Sequence, residues 1–352
     1  MIRDTKNIKS LVFVSLYSRD YSRSGVFYSG YPGEKNYLEF AKRPKQIIQQ
    51  INTLKESFKF SDTIIFVMSP SHILVIYFKL FAKFKIVLDA GWPLSDSQPK
   101  AERNHPRYLS KIKNTALDFL SFKFADEIIF ETEKQTDFSR KKFLLRKSKC
   151  HSIPTGFNEL EFSSAVSNSR MPRELSHFGN SSHEFILFRG KNNREAGIEK
   201  IVGAAKILGK NFKFLIISNE EVINLPSNVL QISRYLSREE LVWIYQHTSV
   251  VLGQFGNNNR LTRTTPHKFF EAAYFTKCYV TPRNIGLEGL ADEKNVCFTR
   301  TSQSTDIADT LCMLSQNKEL RILRSRNLRD NYDLNWSQTK LSDALMEIIV
   351  LN

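Results

Sequence analysis

Short β-rich apolar runs return along the whole chain, and longer amphipathic stretches lie between them. "SLVFVSL" (10–16), "DTIIFVM" (62–68), "KIVLDA" (85–90), "DEIIFET" (126–132) and, more weakly, "CHSIP" (150–154) read as buried strands. Helical patterns over 71–84 and 105–124 separate them. Strands that are apolar at nearly every position and alternate with helices belong to a parallel sheet covered on both faces. The pattern breaks at "SAVSNSRMPRELSHFGNSS" (164–182), which is polar and unpatterned, and then starts again. "EFILFRG" (184–190), "FKFLIIS" (212–218), "NVLQIS" (228–233), "SVVLG" (249–253) and "CYVT" (278–281) are the strands of a second half, with helices near 195–208 and 237–247. The expectation is an α/β chain of two Rossmann-like, doubly wound domains, at 1–165 and 183–332. A linker at 166–182 joins them, and a last helix lies in 333–352. Ligands of open α/β sheets sit beyond the carboxyl ends of the strands, so a central cleft faced by both domains is the expected site.

Size agrees, since 352 residues suit two domains of about 150–180 each. Cys150, Cys278, Cys297 and Cys312 show no metal-like spacing, and no signal-peptide pattern opens the chain. They read as free thiols in a reducing, cytoplasmic setting. No apolar run approaches the length of about 20 residues that a membrane span needs. The net charge of +15 attracts something negative: nucleic acid, an anionic membrane surface or a phosphorylated substrate.

"TPHKFFEAAYFTKC" (265–278) narrows the choice. Pro266 fits a first helical position with Thr265 as cap, and Phe270, Ala273 and Tyr274 recur at helical spacing as a packed face. Lys268 and Glu271, three apart, share one side of that helix. The helix follows a strand and the polar loop "GQFGNNNRLTRTT", and a helix N-terminus there suits an anion. Arg260, Arg263 and Lys268 add positive charge. Glu271 would repel a phosphate but can accept hydrogen bonds from sugar hydroxyls. A nucleoside diphosphate meets both demands; a solvated Lys–Glu pair is the alternative on spacing alone.

"PHKFFEAAYFTKCYVT" resembles the nucleotide-sugar motif of retaining glycosyltransferases of the GT-B fold, broadly glycosyltransferase family 4. "ILFRGKNNREAGIEKIVGAAKIL" (186–208) resembles the segment that opens the family's second domain. "ADEIIFETEKQTDFSRKKF" through "CHSIPTGFN" (125–158) resembles the end of its first, and "NWSQTKLSDALMEII" (335–349) its returning C-terminal helix. The resemblance implies a metal-independent hexosyltransferase with no cofactor, acting on a nucleoside diphosphate sugar and a growing glycan or lipid-linked acceptor in bacterial polysaccharide biosynthesis. It implies donor contacts at Gly190, Lys191, Arg194, Arg263, Lys268 and Glu271, with Glu271 also a catalytic residue. This chain departs from the family in three places. Arg263 stands eight positions before Glu271, where the family often has another Glu, and Gln254 lies near that carboxylate's place. Lys191 takes the place of the family's Arg, and Ala196 that of its Lys.

In the acceptor-side first domain, Asp89 ends a strand and is the candidate to orient an acceptor hydroxyl or take its proton; a turn cap is the alternative. "SRDYSRSGVFYSGYPG" (18–33) resembles the family's flexible first loop, with Arg23 and Gly25 as contributors. "SHILVIYFKLFAKFK" (71–85) and "SRKKFLLRKSK" (139–149) read either as helices with solvated edges or as a surface for anionic lipid on the inner face of the cell membrane. His72, His105, His151, His183 and His267 show no metal spacing. Two rival functions stay open: an epimerase or phosphorylase of nucleotide sugars on the same fold, and a basic nucleic-acid-binding protein. The second has no recognised reader motif, so no nucleic acid is expected.

Overall fold

The computed structural model describes residues 10–18, 22–96, 107–176, 178, 184–283 and 285–350. His105, His183 and, at the end of the expected linker, residues 177 and 179–182 lie outside the described residues. The chain divides into two compact units, Met1–Asn158 with Gln338–Asn352, and Glu159–Ser337.

The first unit holds strands β1 (Ser10–Ser15), β2 (Lys35–Glu39), β3 (Thr63–Met68), β4 (Lys85–Gly91), β5 (Glu127–Phe130) and β6 (Cys150–Ser152). They form one parallel sheet in the order β2-β1-β3-β4-β5-β6. The helices are α1 (Ser22–Gly30), α2 (Pro44–Ser57), α3 (Ile73–Phe81), α4 (Arg107–Phe124), α5 (Glu133–Phe143) and the chain's last helix, Gln338–Val350. Alternate residues of one strand feed two cores. Val12, Ile65, Val67, Ile86 and Leu88 meet α2 to α5 through Ile51, Phe78, Phe122 and Phe143. Leu11, Phe13, Ile64, Phe66 and Val87 meet Phe27 of α1 and Leu341, Leu345 and Ile349 of the last helix. Covering both faces is what makes "TIIFVM" apolar throughout, and all six of its residues are buried. The last helix is seated closely: a Cβ at Gly156 would lie 2.1 Å from Leu341 Cδ1, and Gln338 Nε2 donates to the Val26 carbonyl at 3.0 Å.

The second unit repeats the plan. β7 (Phe185–Arg189), β8 (Lys213–Ile217), β9 (Val229–Ile232), β10 (Thr248–Leu252), β11 (Cys278–Pro282) and β12 (Cys297–Thr299) form a parallel sheet in the order β12-β11-β10-β7-β8-β9. Its helices are α6 (Glu159–Val166), α7 (Ile198–Leu208), α8 (Arg238–Gln246), α9 (His267–Tyr274), α10 (Ser304–Gln316) and α11 (Lys318–Asn335). Ile186, Phe188, Val250, Leu252 and Val280 pack against α7 and α10. The chain steps outward from β7 to β9, then returns to the other side of β7 with β10. That reversal leaves a crevice beyond the carboxyl ends of β7 and β10, where such sheets bind ligands.

Candidate anion site in the second unit

The loops that leave β7 and β10 are joined backbone to backbone. Phe255 N donates to the Ala196 carbonyl at 3.1 Å and Gly256 N to that of Glu195 at 3.1 Å. Gly197 has φ +64°, and a Cβ there would lie 2.6 Å from the Phe255 carbonyl carbon. A Cβ at Gly256 would lie 1.8 Å from the Arg194 oxygen, so only glycine fits either position. Glu195 adds side-chain ties, accepting from Asn258 Nδ2 at 3.1 Å and meeting Arg260 at 3.4 Å.

Helix α9 enters this crevice. Pro266 is its N-cap and His267 its first residue, one position later than the sequence predicts. Thr265 is no cap: its hydroxyl donates to the Gly286 carbonyl at 3.0 Å. Lys268 to Ala273 are all buried. Phe269 meets Tyr279 and Trp336 edge-on or tilted, which fixes the helix against β11 and the end of α11. At the far end Lys277 N bonds the Ala272 carbonyl at 2.8 Å and Thr276 N that of Ala273 at 3.1 Å, a Schellman ending. Thr276 sits at the left-handed position, φ 55°, where glycine is usual.

Lys268 is 6% exposed. Among the described residues no carboxylate or carbonyl accepts from its Nζ, which stands 3.7 Å from the centre of the Phe188 ring. A Cβ at Gly190, the first residue after β7, would be 3.1 Å from that Nζ. Burial pulls the Lys268 ammonium down to about 7; Glu271 opposes the shift and Arg189 adds to it.

Glu271 is 2% exposed and has its partners inside the protein. Oε1 accepts from Arg189 Nη1 and pairs with His267 Nδ1 at 2.8 Å, and Oε2 accepts from the Tyr245 hydroxyl. Burial pushes this carboxyl up, but Arg189 and His267 outweigh burial and hold it well below the usual carboxylate range. Tyr245 is delivered by α8, whose start is set by a Ser237–Glu240 capping box. Its ring stacks on Phe275 at 4.4 Å. Burial and the neighbouring carboxylate push its hydroxyl up, so it stays a donor.

The structure thus gathers Gly190, Lys268 and Glu271 and adds three residues that the sequence did not single out: Arg189, Tyr245 and His267. The one signal for Arg189 was a cation ending an otherwise apolar strand. Lys191 and Arg194 are exposed on the loop after β7, and Ala196 is core. Arg263 is half-buried beyond the turn at Asn259–Thr262, with Nη1 3.3 Å from the Asn259 carbonyl. Glu271, expected to accept from sugar hydroxyls, is enclosed here and held by three protein partners.

The three first-unit candidates, Asp89, Arg23 and Gly25, lie inside the fold. Asp89 is fully buried and its Oδ1 accepts from Arg23 Nε at 2.7 Å. Burial raises its carboxyl, and Arg23 pulls the other way. Arg23 and Gly25 belong to helix α1, not to a loop, and both are buried. Arg23 also donates to the Ile153 carbonyl at 3.1 Å and lies 3.4 Å from Thr155 Oγ1. These contacts make an internal strut joining α1, β4 and the segment after β6.

Two α/β units, each built on a six-stranded parallel sheet with helices on its faces, define the GT-B class of fold. Solved structures of that class superpose along nearly the whole chain. HepE of Anabaena, in complex with UDP-glucose, matches with a TM-score of 0.69 at 10% identity, over 98% of this chain and 100% of that one. Sucrose-phosphate synthase of Thermosynechococcus elongatus matches at 0.68 and 10%, over 97% and 98%. A glycosyltransferase of Rickettsia africae matches at 0.65 and 12%, over 98% and 100%. At these identities the likeness establishes the fold. No protein-family model matches the chain, and no curated protein matches it. Among the described residues no group of three or more His, Cys, Asp or Glu is placed to hold a metal ion, and no helix is long and apolar enough to cross a membrane.

Proposed function

We propose that the protein is a glycosyltransferase that takes its sugar from a nucleoside diphosphate donor bound at the crevice of the second unit. The observation that carries this reading is Lys268: a buried ammonium with no anionic partner of its own, beside the bare backbone of Gly190 and at the start of a helix. An isolated buried charge is costly, and a diphosphate supplies the counter-charge. In the reaction the bond from the anomeric carbon to the diphosphate oxygen breaks, and an acceptor oxygen takes that carbon. Charge grows on the leaving diphosphate, where a fixed ammonium and a helix N-terminus stabilise it most. The proposal includes retention at the anomeric carbon, with the leaving phosphate receiving the acceptor's proton, and no metal or other cofactor.

UDP and UDP-glucose in the matching HepE structures make uridine donors the first to try. The test is thermal stabilisation by mono- and diphosphates of the five common nucleosides and by their sugar derivatives, since a ligand of the folded state raises the melting point. A diphosphate should stabilise the parent, and Lys268→Met should lose most of that gain. No shift with any of them would end the reading. Product analysis with donor alone and then with acceptor separates transfer from epimerisation.

A growing glycan on a lipid carrier is the proposed acceptor, and the proposed location is the cytoplasmic face of the membrane. In support, α3 and α4 expose Leu80, Phe81, Leu109, Ile112, Phe119 and Leu120, and Lys83, Lys141, Arg146 and Lys147 are exposed cations of the same unit. Apolar side chains interspersed with lysine and arginine suit an anionic bilayer surface.

A further inference from the structure

We infer that Arg189, the last residue of β7, supplies the guanidinium of this site and gives it its preference for two phosphates over one, with Glu271 as its tether. The inference rests on the donor reading above and assigns work within that site.

Arg189 and Lys268 border the same backbone position. Arg189 immediately precedes Gly190, and Lys268 Nζ would stand 3.1 Å from a Cβ on Gly190. The two cations differ in how they are held. Lys268 rests on an aromatic face. Arg189 is tied through Nη1 to a carboxylate that Tyr245 and His267 also grip. Three partners converging on one enclosed carboxylate fix Glu271, and Glu271 in turn fixes the guanidinium. A guanidinium offers five N–H donors in a rigid fork. A third of the Arg189 side chain is exposed, although Glu271 beneath it is nearly sealed. Donors therefore remain for an acceptor arriving from solvent.

The charges point the same way. Lys268 and Arg189 share one enclosed carboxylate, Glu271, and Glu195, which also acts on Lys268, is paired with Arg260, so the group is short of negative charge. Lys191 and Arg194, the cations of the following loop, stand in solvent, where contacts with a phosphate are weakened by water and salt. A single phosphate can neutralise Lys268 alone. A diphosphate can engage Lys268 with one group and the fork of Arg189 with the other.

The decisive variant is Arg189→Lys. It keeps a positive charge for Glu271, so the fold should persist, which a melting curve checks. It lacks the second edge of the fork. Calorimetric titration would compare the diphosphate and the monophosphate of the nucleoside that stabilises the parent. Arg189→Lys should weaken the diphosphate about 30-fold and the monophosphate about threefold or less, so the preference falls about tenfold. Tyr245→Phe removes one grip on Glu271 and should weaken the diphosphate about threefold through looser placement of Arg189. A folded Arg189→Lys protein with the parent's diphosphate-to-monophosphate ratio overturns the inference and leaves the donor site standing. A parent that binds neither nucleotide overturns both.

Discussion

Lys268 links donor binding to pH. Its ammonium is drawn down to about 7 from 10.5, chiefly by burial. The unfolded chain therefore holds more protons than the folded one between these values. By linkage, this group makes the empty protein more stable as pH rises through that window and contributes a constant penalty below it. Donor binding runs in the opposite sense. A diphosphate needs the ammonium, and the protonated fraction of free Lys268 falls from about 0.9 at about pH 6 to about 0.03 at about pH 8.5. Affinity should therefore drop about 30-fold over that range, or about 2 kcal/mol. A nucleoside diphosphate sugar is the right titrant, because both phosphates are esterified and their charge stays constant. Calorimetry at pH 8.5 in two buffers of different ionisation enthalpy should show uptake approaching one proton. Lys268→Met should bind more weakly and lose most of the slope. Clear binding by the parent with constant affinity and no proton uptake would show that Lys268 does not meet the donor's charge.

Asp89→Asn should leave the buried Arg23 without its counter-charge and lower stability by about 3–5 kcal/mol, read in denaturant melts. The folded fraction should keep normal specific activity; a turnover loss near 100-fold at intact stability would restore Asp89 to the reaction. Thr276→Gly puts glycine at the left-handed end of α9 and should raise stability by about 0.5–1 kcal/mol, with a lower melting point counting against strain there. Replacing Lys141, Arg146 and Lys147 with Ser should weaken binding to vesicles containing anionic lipid, and salt should release the parent; equal binding to neutral vesicles in high salt would exclude an electrostatic surface. Lys142 is left out of that set because its Nζ holds Ser95 Oγ at 2.9 Å.

The central strands were legible because both their faces are covered, which leaves an unbroken apolar signature. β2 was not: "KNYLE" is an edge strand, half-buried along most of its length, and carries no apolar run. β12 is three residues long and gives periodicity nothing to act on. Lys268 and Glu271 could be paired from the sequence because three-residue spacing on a helix is local. Their partners are not local: Arg189 and Tyr245 reach Glu271 from positions 82 and 26 residues away. Asp89 was read as a strand end, but β4 runs on to Gly91. An acid that seemed to end the strand lies within it, facing Arg23. Arg23 in turn was placed in a loop because "SRSGVFYSG" has weak helical patterning, and the last helix of the chain is what gives α1 a surface to bury against.

The contact between Gly197 and Gly256 has a consequence for how the site can be altered. The loop after β7 and the loop after β10 share one backbone seam, so neither is a free module. A graft that lengthens residues 191–197 alone would push Phe255 and Gly256 out of register and, with them, the approach to α9. New donor preferences in this scaffold therefore have to be introduced as matched pairs of loops, or through side chains such as Arg189 that leave the seam untouched.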